Sequence, residues 1–184
     1  MKSLKTNSQK TSGHVFGVRN RLYKQFLEKL DKKLQSYFDE HKDFICCKAG
    51  CSACCEKGDY PISQLELEYL MQGFISLDNE TKIKVQENIK SMVKGGKCPF
   101  LISSLCSVYP YRPIICRVHG LVYLYKEGSV KVPYCVNYGK NYSNVFENNE
   151  ITINPVLENL DTTEILKEFN FGEIRNLFDW LNSK

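Results

Sequence analysis

No apolar stretch in the 184 residues approaches the roughly 18 residues of a membrane span, so no bilayer-crossing helix is expected. A glycine-rich phosphate loop is also missing, because Gly95-Gly96 lacks any flanking pattern, and no loop for S-adenosylmethionine can be identified. Charge of one sign is scarce: 25 Lys+Arg against 21 Asp+Glu leave a net +4, scattered rather than gathered on one face. That argues against a nucleic-acid module. Histidine occurs three times; His14 sits in a polar tail and His41 at a charged helix end, where both are expected to be solvated, which leaves His119. Met1 to Gly17 is rich in Lys, Ser and Thr with no apolar h-region, as expected of a disordered tail without a secretory signal. No internal repeat is seen.

Cysteine is the residue in excess. There are nine, and Cys47-Lys48-Ala49-Gly50-Cys51-Ser52-Ala53-Cys54-Cys55 packs four of them into nine residues behind Cys46. Cys98, Cys106, Cys116 and Cys135 follow singly. Hydrophobic content of 42% in a chain of this length suffices for a core without covalent staples, so the thiols are not compensating for a missing one. An odd count argues against a fully paired disulfide framework. A cytoplasmic, reducing location is expected, and there a cysteine cluster more often binds metal.

Periodicity predicts a mainly α protein with a small β-hairpin. The expected organisation is a disordered tail over 1–17 and a single cysteine-cluster domain over 18–184, with a metal-binding core at about 44–136 and C-terminal helices at about 155–183. Leu22, Phe26, Leu27, Leu30, Leu34, Tyr37 and Phe38 recur at helical spacing between Arg19 and Asp43. Ser63 and Glu66 match a capping box that opens a second helix, and Asp78 or Asn79 starts a third that Gly95-Gly96 stops. Pro99, Pro110 and Pro113 keep the stretch from Cys98 to Gly120 irregular, with Pro113 in the first turn of a short helix carrying Cys116. Residues 121–125 and 129–133 read as the hairpin. Asp161 with Glu164 opens another helix, and Ile174, Leu177, Phe178 and Leu181 give a terminal one.

Thiolate sulfur is a soft donor suited to zinc, copper(I) and iron–sulfur clusters. Zinc and iron–sulfur sites both combine a short Cys-x-x-Cys knuckle, here Cys51 to Cys54, with distant contributors. Gly50 can supply the backbone angles that wrap a chain around a metal. If the run is partly helical, Cys47, Cys51, Cys54 and Cys55 share one broad face, although adjacent Cys54 and Cys55 diverge by roughly 100°. One site or two remains open at this level. Lys48, Arg112, Arg117 and His119 are candidate donors to sulfur. Cys116 and His119 have the spacing of a nucleophile and base, but a ligand with a hydrogen-bonding or ligating histidine is favoured. Tyr109 and Tyr111 are candidates to cap the site. Cys46 breaks the pattern and is not expected to ligate.

The run Cys47-x3-Cys51-x2-Cys54-Cys55, then Pro61-Ile62-Ser63-x2-Glu66, Cys98-Pro99-Phe100-Leu101 and Cys106-x2-Tyr109-x2-Arg112-Pro113-x2-Cys116-Arg117 resembles the YkgJ-type CxxCxxCC family. That family comprises proteins described as zinc- or iron-chelating and includes flagellin lysine N-methylases. The resemblance covers about residues 44–136, with a first gap of three residues rather than two. It implies as metal ligands Cys47, Cys51, Cys54, Cys55, Cys98, Cys106, Cys116 and Cys135. The expectation is a soluble metalloprotein holding zinc or iron, a 4Fe-4S cluster included, with no nucleic-acid or membrane partner. The alternative is an iron–sulfur enzyme modifying a protein side chain, such as a lysine N-methylase; any protein partner or substrate, and any catalytic residue, is unidentified.

Overall fold

Leu27, Leu30 and Leu34 recur at intervals of three and four, so one face of the first helix is apolar and must be covered. In the structure, a computed structural model describing residues 8–183 with side chains from Arg19 onward, that helix is α1 (Ser8–Glu40). Of the tail expected over residues 1–17, residues 1–7 lie outside the described residues, and from Ser8 the backbone is helical. The buried stripe is Tyr23, Leu27, Leu30 and Leu34; Leu22 is 53% exposed, so the apolar face is rotated by one residue at its start. Tyr23 fills that place with its ring edge-on to Tyr69 at 5.4 Å.

A two-strand ribbon, not a helix, receives the chain after the cysteine run. β1 (Pro61–Ser63) leads directly into α2 (Gln64–Ser76), and the capping box at Ser63 and Glu66 is formed in both directions. Glu66 does more than cap. Its Oε2 accepts from the Ser63 N–H and hydroxyl at 2.8 Å each, and its Oε1 accepts from the Ile114 N–H, also at 2.8 Å. A fully buried carboxylate thereby ties the start of α2 to the cysteine-bearing segment far along the chain. α3 (Asn79–Ser91) begins at Asp78, whose side chain accepts from Thr81 N, and stops at Met92, before Gly95-Gly96.

The middle is irregular, as its prolines require. β2 (Leu101–Ile102) pairs with β3 (Leu105–Cys106), with Ser103 and Ser104 turning at positive φ. α4 (Ile114–Val118) carries Cys116, with Pro113 just outside as its N-cap. The predicted hairpin is β4 (Tyr123–Leu124) with β5 (Val130–Lys131). Beyond it come the ribbon β6 (Phe146–Glu147) with β7 (Glu150–Ile151), and β8 (Val156–Asn159), which joins β4 in parallel. α5 (Thr162–Ile165) is capped by Asp161 as expected.

The terminal helix is shorter than its pattern suggests. Ile174 lies in β9 (Ile174–Asn176), antiparallel to β1 with Ile62 opposite Arg175, and only α6 (Leu177–Asn182) is helical. A strand running straight into a helix offers one buried face just as a single helix does, and that imitates the i, i+3, i+4, i+7 pattern. The fold is thus mainly α, with six helices among the described residues, but it carries four small sheets where one hairpin was expected.

Two apolar clusters flank the cysteines. One packs α1 against Leu65, Tyr69, Ile114, Val118 and the β4/β8 region. The other gathers Ile62, Leu70, Val85, Phe100, Val108 and Leu177. No described helix is long and apolar enough to cross a membrane.

Candidate metal centre

Cys47 to Cys55 is not a helical face. It forms two successive turns, closed by Cys51 N–H to the Lys48 carbonyl at 2.9 Å and Cys55 N–H to the Ser52 carbonyl at 2.8 Å. Gly50 between the cysteines has φ +86°, the conformation that glycine adopts without strain. Turns of this kind point successive thiols inward where a helix would fan them out. Cys54 and Cys55 accordingly hold their sulfurs 4.0 Å apart instead of diverging.

The distant thiols reach the same place by a backbone contact. Cys98 N–H donates to the Cys55 carbonyl at 2.8 Å, and Gly58 lets the two segments touch. A Cβ on Gly58 would lie 2.4 Å from Cys98 Cβ and 2.9 Å from the Cys55 oxygen. β3 brings Cys106 alongside, and α4 brings Cys116. Cys47, Cys51, Cys54, Cys55, Cys98, Cys106 and Cys116 all line one cavity of about 1020 Å³. Cys135 is buried outside that lining, and Cys46 does not line it either. All nine thiols are free.

The electrostatics of this cavity are dominated by burial of the thiols. Burial pushes Cys47 up to about 11 and Cys98 up to about 12, and it also raises Cys106, Cys116 and Cys135. Cys54 moves the other way because the Cys55 S–H donates to it, and by the same bond Cys55 is raised. Cys47 is exposed as a residue, yet its sulfur rests 3.1 Å from Asn141 Nδ2. Sequence reasoning passed over Asn141, since nothing local marks an asparagine whose partners lie far back in the chain.

The other candidates resolve individually. His41 is buried, with its Nδ1 3.0 Å from the Tyr142 hydroxyl. Arg117 lines the cavity but gives its donors to the Arg112 and Pro110 carbonyls at 2.9 Å each and to Asp31, so it clasps backbone rather than sulfur. Arg112 stacks 3.9 Å over the Tyr109 ring at the cavity wall and opposes the rise of Cys106. Tyr111 packs on Tyr69 at 5.0 Å and is core rather than cap. His119 lines the cavity beside Tyr60, their ring centroids 5.3 Å apart. Burial lowers its pKa to about 4, which keeps the imidazole neutral, and its Nε2 is buried without a hydrogen-bond partner.

Residues 46–151 match the model of the CxxCxxCC family, described as a "putative zinc- or iron-chelating domain". The match spans more than half of the 184 residues. The chain belongs to the CxxCxxCC family. No curated protein and no solved structure matches it.

The donors present fit the metals that the CxxCxxCC description names. Seven soft sulfurs share one cavity, and an orphaned neutral imidazole nitrogen beside them has no other partner. The expected cysteine-ligated metal centre is not formed in this geometry: among the described residues no group of three or more His, Cys, Asp or Glu side chains is drawn close enough to hold an ion.

Proposed function

We propose that this CxxCxxCC protein chelates zinc or iron through the thiolates of Cys47, Cys51, Cys54, Cys55, Cys98, Cys106 and Cys116, the seven that line the cavity, and not through Cys135, which lies outside that lining. The observation that carries the reading is the shared cavity. Thiols from separated segments of the chain, the Cys47–Cys55 turns, Cys98, β3 and α4, line one space, and packing alone gives no reason for seven cysteines to meet there. His119 adds a neutral nitrogen that is ready to bind without losing a proton.

Within this reading the number of thiols favours more than one metal ion. A single tetrahedral ion takes four ligands, whereas seven cysteines line the cavity, enough to hold an iron–sulfur cluster with sulfurs to spare. Such a cluster supplies electron transfer or Lewis-acid chemistry when bound. Modification of a protein side chain, a lysine N-methylase reaction included, is carried by the family resemblance alone.

The test is metal and acid-labile sulfide content of anaerobically purified protein, with its visible spectrum. Colourless protein with stoichiometric zinc supports a chelating or structural role. Iron with matching sulfide and a brown colour bleached by reductant supports the cluster. Folded protein that takes up neither metal overturns the proposal.

A further inference from the structure

We propose that Asn141 is a positioning residue that commits Cys47, and not the adjacent Cys46, to the metal. The inference rests on the chelating role proposed above and adds to it a rule for choosing between two neighbouring thiols.

Asn141 is 1% exposed, and both ends of its amide are engaged. Its Oδ1 lies 3.0 Å from the Cys46 backbone N, and its Nδ2 lies 2.9 Å from the Gly120 carbonyl oxygen. A peptide N–H can only donate and a carbonyl can only accept. These two bonds therefore set which end of the amide is oxygen and which is nitrogen, with no reference to sulfur.

The thiols are then sorted by the orientation already fixed. Nδ2 sits 3.1 Å from Cys47 Sγ, so this sulfur accepts. Oδ1 sits 3.2 Å from Cys46 Sγ, so the only bond that sulfur can make to the amide is as a donor. An N–H bond to sulfur supports a metal-bound ligand, whereas an amide oxygen facing a sulfur offers it no such support. The cavity gives an independent indication, since Cys47 lines it and Cys46 does not. Gly120 makes the arrangement possible: with φ +103°, it leaves open a space where a Cβ would stand 3.0 Å from Asn141 Nδ2 and 3.1 Å from Cys47 Sγ.

The experiment is pulsed alkylation of the full-length, zinc-loaded protein, read residue by residue by mass spectrometry. Cys46 is expected to be modified and Cys47 protected; protection of Cys46 with modification of Cys47 overturns the proposal. Asn141→Asp keeps the shape and the acceptor for Cys46 N–H but replaces the donor to Cys47 with a negative oxygen. Zinc affinity, measured by competition with a chromophoric chelator, should fall about 10–100-fold, the range seen when a partner of a metal ligand is lost, and Cys47 should become modifiable. Asn141→Ala removes the donor without adding charge, so it should lose less than Asn141→Asp; a role confined to packing predicts the reverse order. Affinity unchanged in Asn141→Asp overturns the proposal, and if that variant does not fold, the wild-type protection pattern still decides it. Failure of the chelating role itself has a different appearance: wild-type protein takes up no zinc, and Cys98 and Cys116 are modified together with Cys47.

Discussion

Gly58 holds the site together by what it lacks. Its backbone angles are ordinary, so the requirement is for space rather than for flexibility. Gly58→Ala places a Cβ 2.4 Å from Cys98 Cβ, with a backbone oxygen blocking retreat, so the Cys98 segment must move off the Cys55 turn. A loss of about 1–3 kcal/mol is expected, as for other overpacked positions, together with weaker metal retention. The check is a denaturant midpoint on metal-free protein; an unchanged midpoint would mean that the two segments are not in the contact described. Gly50 makes the opposite case, with no atom within 4 Å of a Cβ but a φ of +86°. The sequence made Gly50 legible because it stands inside the motif. Gly58 and Asn141 were illegible because each acts on residues distant in the chain, and no periodicity or spacing records that.

Helix starts were the most readable elements. Ser63, Asp78 and Asp161 each cap as their local patterns imply, because a cap is a contact between residues two or three apart. Strand pairing was not readable: β1 meets β9 across more than a hundred residues, and the three residues of each leave no alternation to detect. The connection from Glu66 to Ile114 N–H lies between these cases, a local capping residue with a distant second duty. Glu66→Ala removes a helix cap and also leaves a buried N–H unpaired at the entrance to α4. It should therefore cost about 2–4 kcal/mol, more than an ordinary cap. Thermal or denaturant unfolding measures this, and a loss no larger than that of Asp78→Ala would show that the bond to Ile114 contributes nothing.

At the scale of the whole molecule, the cysteines set the expected pH response of metal uptake. The pKa values of Cys47, at about 11, and Cys98, at about 12, lie above neutrality, so both are protonated at neutral pH until a cation displaces the proton. Metal uptake must then release protons, and affinity must rise with pH and fall in acid. Each ligating thiol adds close to a tenfold gain in affinity per pH unit between about pH 6 and 8. Zinc titration in lightly buffered indicator dye counts the protons directly; uptake without proton release would exclude these thiols as ligands. The most direct test of the central claim is X-ray absorption at the edge of the bound metal. Thiolate chelation in the cavity predicts a nearest shell dominated by sulfur at about 2.3 Å. A shell of nitrogen and oxygen alone, at about 2.0–2.2 Å, would contradict it.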